Sequence, residues 1–150
     1  MDDLSDLYQD IILGHNKRPH HYGELNPHTH EAEGYNPLCG DRLCIQVREK
    51  NGSLEAAGFT GEGCAISKAS ASIMTDAVKG LDREGVAKKI GEVLELLTGR
   101  DEPVVDLMEH GDIAALAGVR KFPPRVKCAT LAWHTLAAAL SEEPRAVSTE

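Results

Sequence analysis

Six residues in a row, Asn36-Pro37-Leu38-Cys39-Gly40-Asp41, put a thiol and a carboxylate two positions apart on a turn. Pro37 fixes its own φ and biases Asn36 away from helix, and Gly40 is free to adopt a left-handed conformation between the two polar side chains. Such a turn can aim a soft sulfur and a hard oxygen at one point. Two further cysteines lie downstream, Cys64 in Gly61-Glu62-Gly63-Cys64-Ala65-Ile66-Ser67 and Cys128 in Arg125-Val126-Lys127-Cys128-Ala129. Both fall at or near the expected starts of helices, where free N–H groups and the helix dipole favour thiolate over thiol, and Arg125 and Lys127 add positive charge beside Cys128. Thiolate is the form that binds metal or attacks sulfur. Three thiolates and one carboxylate make four ligands, the number zinc takes in a tetrahedral site, and a mixed sulfur and oxygen set suits a site that must open. The spacing from 39 to 64 to 128 matches no zinc finger. On pattern alone the lesser alternative is that the cysteines are small buried hydrophobes.

The bulk composition narrows the classes. A chain of 150 residues is expected to form one domain with a sizeable core. The 16 Lys and Arg against 24 Asp and Glu leave a net charge of −8, the opposite of a nucleic-acid binder's balance. No apolar run approaches the ~20 residues of a membrane-spanning helix. The acidic opening lacks the basic region and cleavage site of a signal peptide, so a cytoplasmic location is expected, where cysteines stay reduced and serve metals or thiol chemistry.

The elements that must position these residues follow from periodicity. Leu4, Leu7, Tyr8, Ile11 and Ile12 mark a helix from about Asp3 to His15. Asn16 to His30 reads as a solvated loop. Its histidines, His20, His21, His28 and His30, with His15 at its border, have no spacing that fits a compact ligand set on a regular element, although one of them could serve a partner or a metal. A strand near Glu31 to Tyr35 precedes the Cys39 turn. Leu43, Ile45 and Val47 alternate with Cys44, Gln46 and Arg48, the period of a half-buried strand. Asn51-Gly52 signals a hairpin, with Leu54 to Thr60 returning. Helices are expected from Cys64 to Val78, from the N-cap Asp82 to Leu97, and from Pro123-Pro124 through Trp133 to Leu140. Gly99 to Phe122 is an acidic segment with a short helical piece at Asp112 to Ala117. From Ser141 the tail is polar and is expected to be disordered.

The three cysteine motifs, in this order, resemble the iron–sulfur assembly proteins of the IscU and NifU N-terminal family. The third reads Lys127-Cys128-Ala129-Thr130-Leu131-Ala132-Trp133. The resemblance runs from the first helix to about Ala139. Two features are similar to the SufU branch: an insertion at about 99–122 before the third cysteine, and Lys127 where the IscU branch has a histidine.

The resemblance implies an α+β fold, a three-stranded antiparallel sheet with helices packed on one face, in a single domain spanning 1–140. It also implies a zinc site of Cys39, Asp41, Cys64 and Cys128, with Cys39 as acceptor of persulfide sulfur from a SufS-like cysteine desulfurase. A downstream SufBCD-type scaffold is a further implied partner. The wider family implies an alternative, in which the same residues scaffold a transient iron–sulfur cluster. Asp41 is expected to act as a hard ligand or as a base. Arg125 either steers the partner, or steadies the thiolate, or is simply a solvated residue at the helix entrance. Cys44 departs from the family pattern. Strand parity turns it away from Leu43 and Ile45, as a bystander, and the rival arrangement is a four-cysteine site with Cys44 in place of Asp41.

Overall fold

The protein is described by a computed structural model covering residues 3–99, 110–141 and 147–148, with side chains from Leu7 onward. Much of the expected insertion, the Leu4 side chain and most of the tail lie outside the described residues.

The chain builds helix α1 (Asp3–Lys17), strands β1 (His30–Asn36), β2 (Asp41–Lys50) and β3 (Ser53–Glu62), and helices α2 (Ala65–Val78) and α3 (Arg83–Thr98). A 3-10 segment (Gly111–Lys121) then leads into helix α4 (Pro123–Ala139), and a two-residue strand β4 (Val147–Ser148) follows. Among the described residues, no helix is long and apolar enough to cross a membrane.

β1, β2 and β3 pair antiparallel, as the alternation predicts. The β2–β3 hairpin closes through Asn51 and Gly52, both at positive φ (55° and 82°), the pair of left-handed residues that a two-residue turn needs. The sheet itself differs from the expected three antiparallel strands. Among the described residues it has four, in the order β3-β2-β1-β4, and β4 runs parallel to β1 through Gly34 and Tyr35. The polar tail expected to be disordered therefore contributes Val147 and Ser148 to the sheet.

Helices cover one sheet face. Leu43, Ile45 and Val47 of β2 and Phe59 of β3 are essentially solvent-free there and pack with Trp133, Leu131 and Leu136 of α4 and with Ile73 and Met74 of α2. α4 approaches β1 so closely that a Cβ on Gly34 would stand 2.1 Å from Thr135 Oγ1. The small residues of α2 permit a similarly close approach to α4: Ser70 Oγ donates to the Ala129 carbonyl at 2.6 Å and accepts from Trp133 Nε1 at 2.9 Å.

The loop between α1 and β1 is largely exposed, as its composition predicts, but it is tied to the sheet. It runs along the free edge of β3, where Gly23 N–H donates to the Phe59 carbonyl at 2.8 Å and Phe59 N–H to the His21 carbonyl at 3.2 Å. His15 belongs to α1 and is buried, 5% exposed. The 3-10 segment replaces the shorter helical piece expected at Asp112 to Ala117, and it buries Ile113, Leu116 and Val119.

Candidate metal centre

Asp41 opens β2 and pairs with Asn36, the last residue of β1, so the turn between them is the four residues Pro37 to Gly40. Gly40 sits at φ +70°, the left-handed conformation that lets the chain reverse between Cys39 and Asp41. Strand parity places Asp41 on the same side as Leu43 and Ile45, and it is fully buried.

A buried carboxylate needs partners. Asp41 has them: Oδ1 accepts the Cys64 backbone N–H at 2.8 Å and Oδ2 accepts Asn36 Nδ2 at 3.1 Å. Cys64 is the N-cap of α2, so Asp41 also satisfies one of the free donors at that helix start.

The sulfur atoms gather around this carboxylate. Ligand atoms of Cys39, Asp41 and Cys128 all lie within 4.8 Å of one another. Cys128 Sγ is 3.1 Å from Cys39 Sγ, far outside the disulfide length of about 2.05 Å and somewhat inside the roughly 3.8 Å between two thiolates on a tetrahedral zinc. Cys64 stands outside this compact trio, though near enough to raise the Cys128 thiol electrostatically. Arg125 Nη1 reaches Cys39 Sγ at 3.6 Å from the exposed start of α4.

One expectation is reversed. Cys128 is the sixth residue of α4, beyond the first turn, where the dipole has lost its force. Burial pushes its thiol strongly up, helped by hydrogen bonds with Cys39 and Asp41 and by the nearby Cys64. Alone, this sulfur prefers to stay protonated.

Asn36 is the residue that sequence reasoning left out of the site. It is fully buried and donates both to Asp41 Oδ2 and to Cys128 Sγ, the latter at 3.3 Å. Its place as the last β1 residue, directly before Pro37, was the available signal. Two buried polar atoms lack a hydrogen-bond partner among the described residues, Asn36 Oδ1 and Ser67 Oγ. Both belong to side chains flanking Asp41. A Cβ on Gly63 would fall 2.4 Å from Ser67 Oγ and 2.7 Å from Asp41 Oδ1, so only glycine leaves that cradle open.

Cys44 lies apart from the trio. It points to the opposite sheet face, across from Glu33 and Thr60, and its thiol is pushed up by burial and by Glu31, Glu33 and Glu24.

The donor set fits a divalent, borderline-soft cation. Burial disfavours ionisation of the Cys128 thiol, and a cation at the centre of the group reverses that penalty. Sulfur ligands with one oxygen are within zinc's range.

Comparison with known proteins places the chain in a family. The model of the NifU-like N terminal domain matches residues 7–129. The chain is 41% identical over 140 residues to the zinc-dependent sulfurtransferase SufU of Bacillus subtilis, covering 93% of each chain. It is 39% identical over 143 residues to the iron–sulfur cluster assembly scaffold protein IscU of Streptococcus pyogenes, covering 95% of this chain and 88% of that one. Among solved structures, a candidate iron–sulfur cluster assembly scaffold protein for the SUF system from Fervidobacterium islandicum superposes with a TM-score of 0.80 at 27% identity, covering 88% of this chain and 95% of that one. The chain belongs to the NifU-like N-terminal domain family of iron–sulfur cluster assembly proteins, the family of IscU and SufU.

Proposed function

We propose that the protein accepts persulfide sulfur on Cys39 from a cysteine desulfurase and relays it into iron–sulfur cluster synthesis, with zinc held by Cys39, Asp41, Cys64 and Cys128. The observation that carries this reading is the asymmetry of the thiols. Cys128 is buried in α4, whereas Cys39 stands partly exposed on a four-residue turn within reach of the same carboxylate. Bound zinc would keep the thiols ionised at neutral pH, against the burial that holds Cys128 protonated.

The chain's own residues divide the work. Asp41 and Asn36 hold the buried side of the site, while Cys39 is the side chain free to leave it. Once a group of the partner takes its place, the Cys39 thiolate attacks the outer sulfur of the desulfurase persulfide. The new S–S bond forms on Cys39, the old S–S bond breaks, and the desulfurase cysteine departs as thiolate. The transferred sulfur keeps its oxidation state, so no external oxidant or reductant enters. Arg125, 3.6 Å from Cys39, steadies the negative charge on the sulfur. Leu38, next to Cys39 and 67% exposed, gives the site an apolar edge for the partner to cover.

The test is mass spectrometry of the protein after incubation with desulfurase and cysteine. Cys39→Ser should still bind the desulfurase and should form no persulfide, because a serine hydroxyl cannot carry one. Persulfide forming on the Cys39→Ser protein would move the acceptor role, with Cys128 as the rival.

The second reading is a scaffold that builds a cluster on Cys39, Cys64 and Cys128, favoured by the convergence of Cys39 and Cys128 and by the likeness to the streptococcal IscU. Lys127, standing where the IscU branch has a histidine, favours the relay. Anaerobic reconstitution with iron and sulfide separates the two. A stable chromophore at full occupancy supports the scaffold, and retained zinc with faster desulfurase turnover supports the relay.

A further inference from the structure

The histidines of the α1–β1 loop assemble a second group of ligand atoms, away from the thiols. One ring nitrogen of His15, one of His20 and a carboxylate oxygen of Asp76 all lie within 4.8 Å of one another. The rings of His15 and His20 are 4.5 Å apart, centroid to centroid. His20 Nδ1 contacts Asp76 Oδ2, and His21 Nε2 contacts Asp76 Oδ1 at 3.0 Å. His15 Nε2 is 2.7 Å from Asp112 Oδ2, bringing a second carboxylate to the edge of the group.

The surroundings are those of a metal ligand rather than of a surface histidine. His15 is anchored in the protein, 5% exposed, and its Nδ1 lies 2.7 Å from Ser72 Oγ. The same hydroxyl oxygen accepts the His20 backbone N–H at 2.7 Å, so one serine positions both histidines. Ser72 Oγ holds Nδ1 of His15, and Nε2 meets Asp112 in a 2.7 Å hydrogen bond whose donor depends on the tautomer; a bound cation would take that Nε2 lone pair in place of the proton. A polar partner on the far ring nitrogen is also what fixes the tautomer of ligating histidines. His20 and Asp76 are half-exposed, at 51% and 41%, which gives a metal an entry path and allows the small side-chain shifts that bring ligands to about 2.0–2.1 Å from it.

We propose that His15, His20 and Asp76 bind a divalent transition metal, with the remaining coordination positions open to solvent or to Asp112. Two imidazoles and a carboxylate suit Zn²⁺, Co²⁺, Ni²⁺ or Cu²⁺ and not the all-oxygen preference of Mg²⁺ or Ca²⁺. The site is distinct from the thiol centre. Asp76 follows Cys64 by twelve residues along α2, about 18 Å of helix. Its ligands come from α1, the loop and α2, so the ion clamps the amino-terminal helix and the histidine loop onto the body of the fold.

The experiment is a Co²⁺ titration of tag-free protein whose thiol centre is already filled with zinc. A second equivalent should bind and give weak d–d absorption without the intense sulfur-to-cobalt charge transfer of a thiolate site. Asp76→Asn and His20→Gln alter exposed side chains. Each should weaken this second equivalent by at least ~10-fold, in line with the loss of a ligand or of its support, while zinc at the thiol centre stays in place. Ser72→Ala should weaken it by ~10–100-fold through His15. No binding beyond zinc, a cobalt spectrum with sulfur charge transfer, or a second equivalent that persists in both Asp76→Asn and His20→Gln would overturn the proposal.

Discussion

Replacing Asn36 with alanine tests whether the metal centre is held from behind by a buried amide. The substitution removes two donated bonds, one to the Asp41 carboxylate at 3.1 Å and one to Cys128 Sγ at 3.3 Å. A hydrogen bond to a charged group contributes about 1.5–3 kcal/mol and one to a weak sulfur acceptor less, about 0.5 kcal/mol. Against this, alanine removes the unpartnered Asn36 Oδ1, returning about 1 kcal/mol. The net loss is about 2 kcal/mol, which for a chain of this size lowers the melting temperature by roughly 4–8 °C. Loss of such a supporting contact should also weaken metal binding by about 10–100-fold. The assays are a thermal melt with and without zinc and a competition titration against a chromophoric chelator. A variant that melts within 1–2 °C of the parent and binds zinc with unchanged affinity would refute the reasoning, since both bonds would then contribute nothing.

Asp41→Ala should lower zinc content in protein purified without added metal, and Cys44→Ala should leave it unchanged; the reverse result would point to a four-cysteine site. Removing the metal with a chelator should lower the melting temperature, because an ion bound only by the folded state adds to its stability, and an unchanged melt would sink the structural part of the metal reading. The Cys44 thiol, pushed up by burial and by Glu31, Glu33 and Glu24, should alkylate more slowly near neutral pH than an unstructured cysteine, with its rate still climbing above about pH 8.5. The linked stability has a definite sign: a thiol raised in the folded state contributes fully below its unfolded value, and the contribution is lost as pH rises toward the folded value. Glu49, held below the usual carboxylate range by its hydrogen bond to Arg83, works the other way, and its small surface contribution disappears as acid protonates it, so Arg83→Ala should shift stability by under about 1 kcal/mol at neutral pH.

The sequence shows its sheet most clearly where side chains alternate. Leu43, Ile45 and Val47 read as buried and are buried, and Asn51-Gly52 carries the turn chemistry that the hairpin uses. β1 is harder to read, because its buried positions are Ala32, Gly34 and Asn36, small or polar rather than apolar. The reason is tertiary: α4 lies against Gly34, where a larger residue would collide with Thr135. β4 is a two-residue pairing inside a polar tail, too short for any period to show. The cysteines were legible as candidates, but their distance from one another in the chain means that only the fold, or the family motifs, can bring Cys39 beside Cys128. The error over Cys128 has a single cause: Pro123 starts α4 a turn and a half before the cysteine, so burial outweighs the helix end. His15 and Ser72 were beyond reach because each is meaningful only against the other, across 57 positions.

The two outer margins of the sheet have a bearing on how the protein behaves at high concentration. A strand at a margin displays a row of unpaired N–H and C=O groups, a template on which another chain can extend the sheet. Here one margin is shielded by the loop bridging Tyr22 to Phe59, and the other by Val147 and Ser148 lying along Gly34 and Tyr35. Segments from opposite ends of the described chain thus guard a small sheet against edge-to-edge aggregation. Trimming the residues beyond Ser141 would leave the thiols and the core in place and still uncover β1, the strand whose end carries the Cys39 turn, to self-association.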